Sequence, residues 1–225
     1  MNLAGILSEM KKVYYSFTGH GVDVASQRAD DLDRFCLHHI AAKHSARVLD
    51  LGTGAGVQSL RMVAAGAHVI AVDSHDFESV FAQIRTDNGI DDSKLQFVQG
   101  DISAVSTQWM AEKITDVIVQ RTIHYLPHPA ALSLLSQLYK NVEDKLFISV
   151  TGIHSAVGVA YAGRDVAVED RFCPLMREQA QTFSISQPVC LYSKAEFVAL
   201  LETSGWRVER CWESAFGNIK AMCAH

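Results

Sequence analysis

The chain has 225 residues, 48% of them hydrophobic and 20% charged, a composition that predicts one globular domain with a large core. Its net charge of −5 disfavours broad binding to nucleic acid, because a phosphate backbone needs a basic face. The 5 cysteines are odd in number and widely spaced, no apolar run could span a bilayer, and the first residues lack the charge order of a secretory signal. We therefore expect a cytoplasmic protein.

Residues 1–46 precede the predicted sheet. Apolar spacing predicts helices at residues 6–15 and 27–43, with a glycine-containing loop at residues 18–21 between them. Cys36, His39 and Lys43 would share one face of the second helix. Two metal-ligating side chains without a partner cluster are weak grounds for a metal, so we predict no metal site.

Residues 47–60 are the most informative stretch, and they read R-V-L-D-L-G-T-G-A-G-V-Q-S-L. The apolar run at residues 48–51 predicts a buried parallel strand, which Asp50 interrupts near its carboxyl end. Gly52, Gly54 and Gly56 allow positive φ and a close approach of the backbone to a ligand. Apolar residues then recur at helical spacing. Strand, glycine turn and helix together bind nucleoside cofactors in doubly wound α/β folds, although a purely structural turn is the alternative.

Strand and helix patterns alternate beyond this turn, which is typical of a parallel α/β sheet. Strands are predicted at residues 67–73, 95–98, 116–120 and 145–151, and helices at residues 76–85 and 130–142. Ser193 and Glu196 predict a capping box that opens a last helix over residues 194–204, and Gly205 would end this helix. Two final strands, at residues 206–212 and 217–223, bring the predicted sheet to seven strands.

Residues 152–191 separate the fifth strand from the last helix and lack clear periodicity. The connection is far longer than the ~2–6 residues usual in α/β units, which indicates a lid or substrate cap. Its mixed-charge run at residues 161–171 predicts a solvated face. The alternative is that this segment and residues 1–46 do not cover a ligand and are only packing elements. The whole chain, residues 1–225, is predicted to be a single domain.

The turn has the pattern D-x-G-x-G-x-G, with an acid two residues before the first glycine. The dinucleotide fingerprint G-x-G-x-x-G places its third glycine one position later, so a nicotinamide dehydrogenase is disfavoured. The pattern resembles motif I of the class I S-adenosylmethionine-dependent methyltransferases, and the resemblance covers roughly residues 47–225. It implies a Rossmann-like, mostly parallel sheet of seven strands, with an antiparallel last strand and helices on both faces.

The resemblance also implies S-adenosylmethionine as cofactor, with S-adenosylhomocysteine as product. Asp73 follows Gly52 by 21 residues and ends the second predicted strand, where an acid hydrogen-bonds ribose hydroxyls, although a helix-capping role is the alternative. By motif match, Asp101 and Ile102 would lie beside the adenine. The cofactor-binding residues implied are Asp50, Gly52, Thr53, Gly54, Gly56, Asp73, Ser74, Asp101, Ile102 and Gln120.

The segment Q-R-T-I-H-Y-L-P follows the fourth strand. Ligands bind at the carboxyl ends of parallel strands, so this loop is expected to face the reacting methyl group. His124 is the predicted general base for a hydroxyl acceptor, with a structural hydrogen bond as the alternative. Arg121 would anchor an acidic substrate group or pair with a surface carboxylate. Tyr125 completes the predicted catalytic set.

No N/D-P-P-Y/F/W tetrapeptide follows the fourth strand, and Cys173-Pro174 reverses the P-C order of cytosine-C5 enzymes. Within the family these absences favour methylation of an oxygen or nitrogen of a small molecule, and the loop broadly resembles quinone-type methyltransferases. RNA or protein substrates, and a non-catalytic subunit that binds S-adenosylmethionine, remain as alternatives. A homodimer or a protein partner is left open.

Overall fold

The computed structural model describes residues 20, 29–103, 109 and 113–225. The strands form one seven-stranded sheet in the order β3-β2-β1-β4-β5-β7-β6. Their bounds are Arg47–Leu51 (β1), His68–Asp73 (β2), Leu95–Gln99 (β3), Ile114–Gln120 (β4), Val142–Thr151 (β5), Arg207–Glu213 (β6) and Asn218–Ala224 (β7). The helices are Asp31–Ala41 (α1), Val57–Ala64 (α2), Glu78–Asn88 (α3), His128–Asn141 (α4), Arg177–Phe183 (α5) and Lys194–Thr203 (α6).

The predicted fold class is confirmed. Strands β1 to β5 pair in parallel, and β7 is antiparallel to both β5 and β6, between which it lies. Because side chains alternate across a strand, neighbouring residues of β1 belong to opposite cores. Val48 packs with residues of α1, α2 and α3, whereas Leu49 and Leu51 pack with residues of α4 and α6. Helices therefore cover both faces, and this explains why the central strands are almost continuously apolar.

Capping groups set where the helices begin. Helix α6 begins as predicted, since the Ser193 side chain accepts from the Glu196 N–H and the Glu196 carboxylate accepts from the Ser193 N–H. Helix α1 begins at Asp31, later than residue 27, because Asp30 and Asp33 form a second capping box. Helix α3 begins at Glu78 rather than at residue 76, because the Asp76 carboxylate accepts from the Glu78 N–H at 2.9 Å.

The helix predicted at residues 6–15 and the loop at residues 18–21, except for His20, lie outside the described residues. Within the described part of the chain, no helix is both long enough and apolar enough to cross a membrane.

The segment after β5 has its own small apolar core. This cluster, which we name the cap cluster, consists of Ile153, Val157, Tyr161, Leu175, Ile185, Val189 and Leu191. Arg171 links the segment after β5 to the start of α6, because the Arg171 guanidinium donates to both Glu196 carboxylate oxygens at 2.8 Å. The Arg171 side chain is only 6% exposed, so the prediction of a solvated charge run is wrong at this residue.

Candidate functional site

The glycine turn brings the backbone against the loop that follows β4. Gly52, Gly54 and Gly56 have φ of 71°, 57° and 77°, which is the left-handed region that favours glycine. A Cβ atom on Gly52 would overlap the Thr122 side chain. Any side chain at this position would therefore separate the turn from that loop.

The buried Asp50 side chain stabilises the glycine turn through hydrogen bonds. Its Oδ2 accepts hydrogen bonds from the Ser59 hydroxyl at 2.6 Å and from the Thr53 hydroxyl at 3.1 Å. The Thr53 and Ser59 hydroxyl oxygens are also 2.8 Å apart, so one hydroxyl can donate to the other in place of Asp50. Burial raises the pKa of Asp50 to about 7, and the neighbouring Asp33 and Asp73 carboxylates add to the rise. Asp50 thus links β1 to the first turn of α2.

Asp73 ends β2 beside the same turn. Its Oδ2 accepts from the Gly54 N–H at 3.0 Å, and its Oδ1 accepts from the His75 N–H at 3.0 Å. The side chain is half-buried, so its remaining lone pairs can still accept from a ligand. Ser74, the next residue, is exposed, and its carbonyl accepts from the Gln99 side chain at 3.2 Å.

Asp101 and Ile102 follow β3, which is the neighbour of β2. Asp101 is exposed and its Oδ1 accepts from the Ser103 N–H at 2.8 Å, whereas Ile102 is buried. Trp109 is also buried, and its Nε1 donor has no hydrogen-bond partner among the described residues. A Cβ atom on Gly100 would lie 2.7 Å from the Trp109 ring, so the backbone leaving β3 passes directly over this indole.

Gln120 ends β4, and its side-chain amide donates to the Asp33 carboxylate of α1. Asp33 is not among the site residues predicted from the sequence, although its capping-box spacing with Asp30 is visible there. Asp33 is buried, and burial followed by the nearby Asp30 carboxylate raises its pKa to about 6. The site therefore includes a residue from the segment before the sheet.

Carboxylates line the carboxyl edge of the sheet. The strand order β3-β2-β1-β4 puts the residues that follow these strands in one row, and Asp33 joins the row from α1. Asp33 and Asp73 both raise the pKa of Asp50, so the three carboxyl groups act on one another. Such a site suits a cationic ligand, whereas a pyrophosphate would meet like charge.

The loop after β4 holds Arg121 in an unusual backbone conformation. Its φ is 51°, rare for a residue with a side chain, and its N–H donates to the Ser149 carbonyl at 2.9 Å and to the Ser149 hydroxyl at 3.1 Å. The Arg121 Nε is buried and has no hydrogen-bond partner in the described part of the chain.

His124 and Tyr125 lie in the 3₁₀ turn that follows, Ile123–Tyr125. The His124 ring is 2% exposed, and its Nδ1 accepts from the Thr151 N–H at 3.5 Å. Burial, and then the charge of Arg121, lower the pKa of His124 to about 3. Burial likewise raises the pKa of Tyr125. Both groups are therefore neutral near pH 7.

A second cluster lies away from this site. His39, Asp116 and Asp144 could hold a metal ion by geometry alone. The Lys43 ammonium, however, lies 2.6 Å from Asp116 and 2.8 Å from Asp144, where it already supplies a cation. Cys36 is apart from this group, since its thiol contacts the Met62 sulfur at 3.9 Å.

Comparisons with known proteins agree with this geometry. The solved structures similar to this chain include a 1,6-didemethyltoxoflavin-N1-methyltransferase from Burkholderia thailandensis, with 16% identity and a TM-score of 0.61 over 87% of this chain and 78% of that one. They also include the magnesium protoporphyrin IX methyltransferase from Synechocystis PCC 6803, with 14% identity and a TM-score of 0.59 over 91% and 88% of the two chains. At such identities these likenesses show the fold.

No curated protein matches the sequence. A family profile described as a methyltransferase domain matches residues 42–196. This match spans more than half of the chain and includes the glycine turn, Asp73, Asp101 and the loop after β4. The chain therefore belongs to the methyltransferase domain family.

Proposed function

We propose that the protein transfers a methyl group from S-adenosylmethionine to an oxygen or nitrogen of a small-molecule metabolite, and that S-adenosylhomocysteine is the second product. The observation that carries this proposal is the row of interacting carboxylates, Asp33, Asp50 and Asp73, around the glycine turn. A cofactor with a sulfonium and an ammonium group complements this charge. The two similar structures reported above were solved with S-adenosylhomocysteine bound, which supports the assignment.

Different residues at the carboxyl edge of the sheet would hold different parts of the cofactor. Asp73 would accept from the ribose hydroxyls, as its two oxygens at the end of β2 allow. Asp101 and Ile102 would lie beside the adenine. The turn formed by Gly52, Thr53, Gly54 and Gly56 would hold the amino-acid portion. Asp50 stabilises this turn, Gln120 would lie beside the same portion, and Asp33 would supply negative charge.

The cofactor supplies an electrophilic methyl group, and the residues after β4 position the acceptor towards it. The proposed acceptor-side residues are Arg121, His124 and Tyr125. With a pKa of about 3, His124 is too weak a base to deprotonate a hydroxyl efficiently. Its Nδ1 accepts a hydrogen bond, so the proton of the neutral ring is on Nε2, which is a donor. We therefore assign His124 to positioning the acceptor.

A small molecule is the acceptor class that the structure supports best. The acidic edge of the sheet and the net charge of −5 oppose an RNA substrate. One similar structure contains 1,6-didemethyltoxoflavin, which is a small molecule. We further propose a cytoplasmic location, because all 5 cysteines are unpaired.

We also propose that residues 1–225 form one domain. In this domain residues 1–46 and 152–191 would cover the proposed cofactor and acceptor site. Two contacts of His20 support this arrangement. Its backbone pairs with Ile185 of the cap cluster, and its ring lies edge-on to Tyr125 with 5.0 Å between the centroids.

The cofactor assignment is tested by thermal unfolding with each ligand in turn. S-Adenosylhomocysteine at 100 times its Kd should stabilise the protein by about 2.7 kcal/mol, and NAD should leave the melting temperature unchanged. Stabilisation by NAD alone would contradict the assignment. Methyl-labelled S-adenosylmethionine and a cell extract then test the acceptor class, since the label should enter small molecules and neither RNA nor protein.

A further inference from the structure

Arg121 is held in a backbone conformation that needs support. A positive φ costs free energy for a residue with a Cβ atom, and such strain persists only where the surroundings impose it. Here the support is Ser149 of β5, a buried residue that accepts from the Arg121 N–H through its carbonyl and its hydroxyl. The Arg121 backbone is therefore fixed where β4 ends beside β5.

The Arg121 guanidinium has no anionic partner among the described residues. Its Nε is buried without a hydrogen-bond acceptor, and no carboxylate of the described residues forms an ion pair with it. Leaving a buried charged donor unsatisfied is unfavourable, so a site that keeps one is typical of ligand binding. Other arginines in the interior do have partners, as the pairing of Arg171 with Glu196 shows.

Two aromatic side chains follow this donor in the same loop. Arg121 lies near enough to His124 and Tyr125 for its charge to act on both, adding to the lowered pKa of His124 and opposing the rise that burial causes in the pKa of Tyr125. The Tyr125 ring is 4.3 Å from the His124 ring and 5.0 Å from the His20 ring, and it packs against the cap cluster. The loop that carries Arg121 thus offers aromatic ring surfaces, and no ion pair of Arg121 occurs among the described residues.

Arg121 also adjoins the cofactor turn. Thr122, the next residue, is the side chain that a Cβ atom on Gly52 would strike. A ligand group held by Arg121 would therefore lie on the acceptor side of the turn, between the proposed cofactor and the cap.

We propose that the methyl acceptor is a planar aromatic molecule with a carboxylate, and that Arg121 binds this carboxylate while Tyr125 contacts the ring. The proposal rests on the proposed function. A guanidinium binds a carboxylate through two parallel hydrogen bonds, so Arg121 is a specificity-determining residue. The carboxylate is an anchor distinct from the atom that accepts the methyl group, and the product keeps its negative charge.

The test uses the full chain saturated with S-adenosylhomocysteine and two matched probes, 4-hydroxybenzoate and 4-hydroxybenzamide. Calorimetric titration should show binding of the carboxylate and much weaker binding of the amide. In Arg121→Met the carboxylate should bind about tenfold more weakly or worse, the loss of a charge-assisted hydrogen bond. Arg207→Met, which removes an exposed arginine of β6, should bind it as the unaltered protein does.

Three results would overturn the proposal. The first is equal or no binding of the two probes, and the second is unchanged carboxylate binding in Arg121→Met. The third is loss of S-adenosylhomocysteine binding in Arg121→Met, which would assign Arg121 to the carboxylate of the cofactor itself. If S-adenosylhomocysteine fails to bind even the unaltered protein, the proposed function fails first, so the two failures are distinguishable.

Discussion

The side-chain amide of Gln120, at the end of β4, donates a hydrogen bond to the Asp33 carboxylate of α1, 87 residues earlier in the chain. Two further contacts hold the same end of α1, since Lys220 of β7 bonds to Asp30 at 2.6 Å and the Trp212 indole of β6 donates to Asp31 at 2.7 Å. The amino end of α1 is therefore fixed over the carboxyl edge of the sheet, where it places negative charge beside the glycine turn.

The raised pKa values of Asp33 and Asp50 predict how stability depends on pH. Unfolding lowers the pKa of each group from about 6 or about 7 towards 3.8, so the folded state keeps protons that the unfolded state has lost. Without cofactor, the contribution of these two groups to the free energy of unfolding should fall as pH rises from about 4 to 7, by at most about 1.4 kcal/mol per pH unit for each group. His124 contributes with the opposite sign between about pH 3 and 6.5, because unfolding raises its pKa from about 3 towards 6.5. Urea unfolding at several pH values measures this.

Asp50→Asn is the variant that isolates one of these groups, because an amide oxygen can still accept from Ser59 while the charge is gone. Between about pH 4 and 7 its unfolding free energy should fall less with rising pH than that of the unaltered protein. Its affinity for S-adenosylhomocysteine should be lower at pH 7.5, where the unaltered carboxylate is increasingly ionised. An identical pH dependence in both proteins would show that Asp50 is ionised in the folded protein throughout this range.

Replacement of Asp73 should weaken cofactor binding directly. Asp73→Ala removes the proposed ribose acceptor, and we expect a loss of about 1–3 kcal/mol in S-adenosylhomocysteine affinity, measured by calorimetry. Asp87→Ala, on the exposed side of α3, is the matched control and should bind normally. Because Asp73 also accepts from the Gly54 N–H, Asp73→Asn separates the loss of charge from the loss of an acceptor. If Asp73→Ala, Asp73→Asn and Asp87→Ala all bind S-adenosylhomocysteine with unchanged affinity, Asp73 is not part of the cofactor site.

The low pKa of His124 predicts a ring that stays neutral. Nitrogen-15 NMR of the imidazole should show an unprotonated Nδ1 and a protonated Nε2 from pH 8 down to pH 5, with assignment by His124→Gln. A protonation step near pH 6.5 would instead favour His124 as the general base.

The ion pair between Arg171 and Glu196 should be important for the stability of the cap. Arg171→Met leaves the Glu196 carboxylate without its guanidinium, and we expect a loss of about 3 kcal/mol, because breaking a largely buried pair strands a charge. Arg207→Met breaks the exposed pair with Glu209 and should cost less than about 1 kcal/mol. Urea unfolding compares the two variants, and equal losses would contradict a special role for Arg171.

The sequence alone was sufficient for the features that depend on neighbours along the chain. The glycine turn after β1, Asp73 at the end of β2 and the capping box at Ser193 all rest on spacings of a few residues or one β-α unit, and local geometry determines these. The alternation of strands and helices likewise predicted the sheet.

Only the tertiary structure decided the environment of the charged groups. The run that contains Arg171 has the composition of a solvated face, yet Arg171 is buried against Glu196, 25 residues away. His124 has the position of a base, but burial lowers its pKa to about 3 and so makes it a weak one. Asp33 joins the site through Gln120, far along the chain. Spacing determines which residues share an element, whereas desolvation and partner charges depend on contacts between distant segments, which no local pattern records.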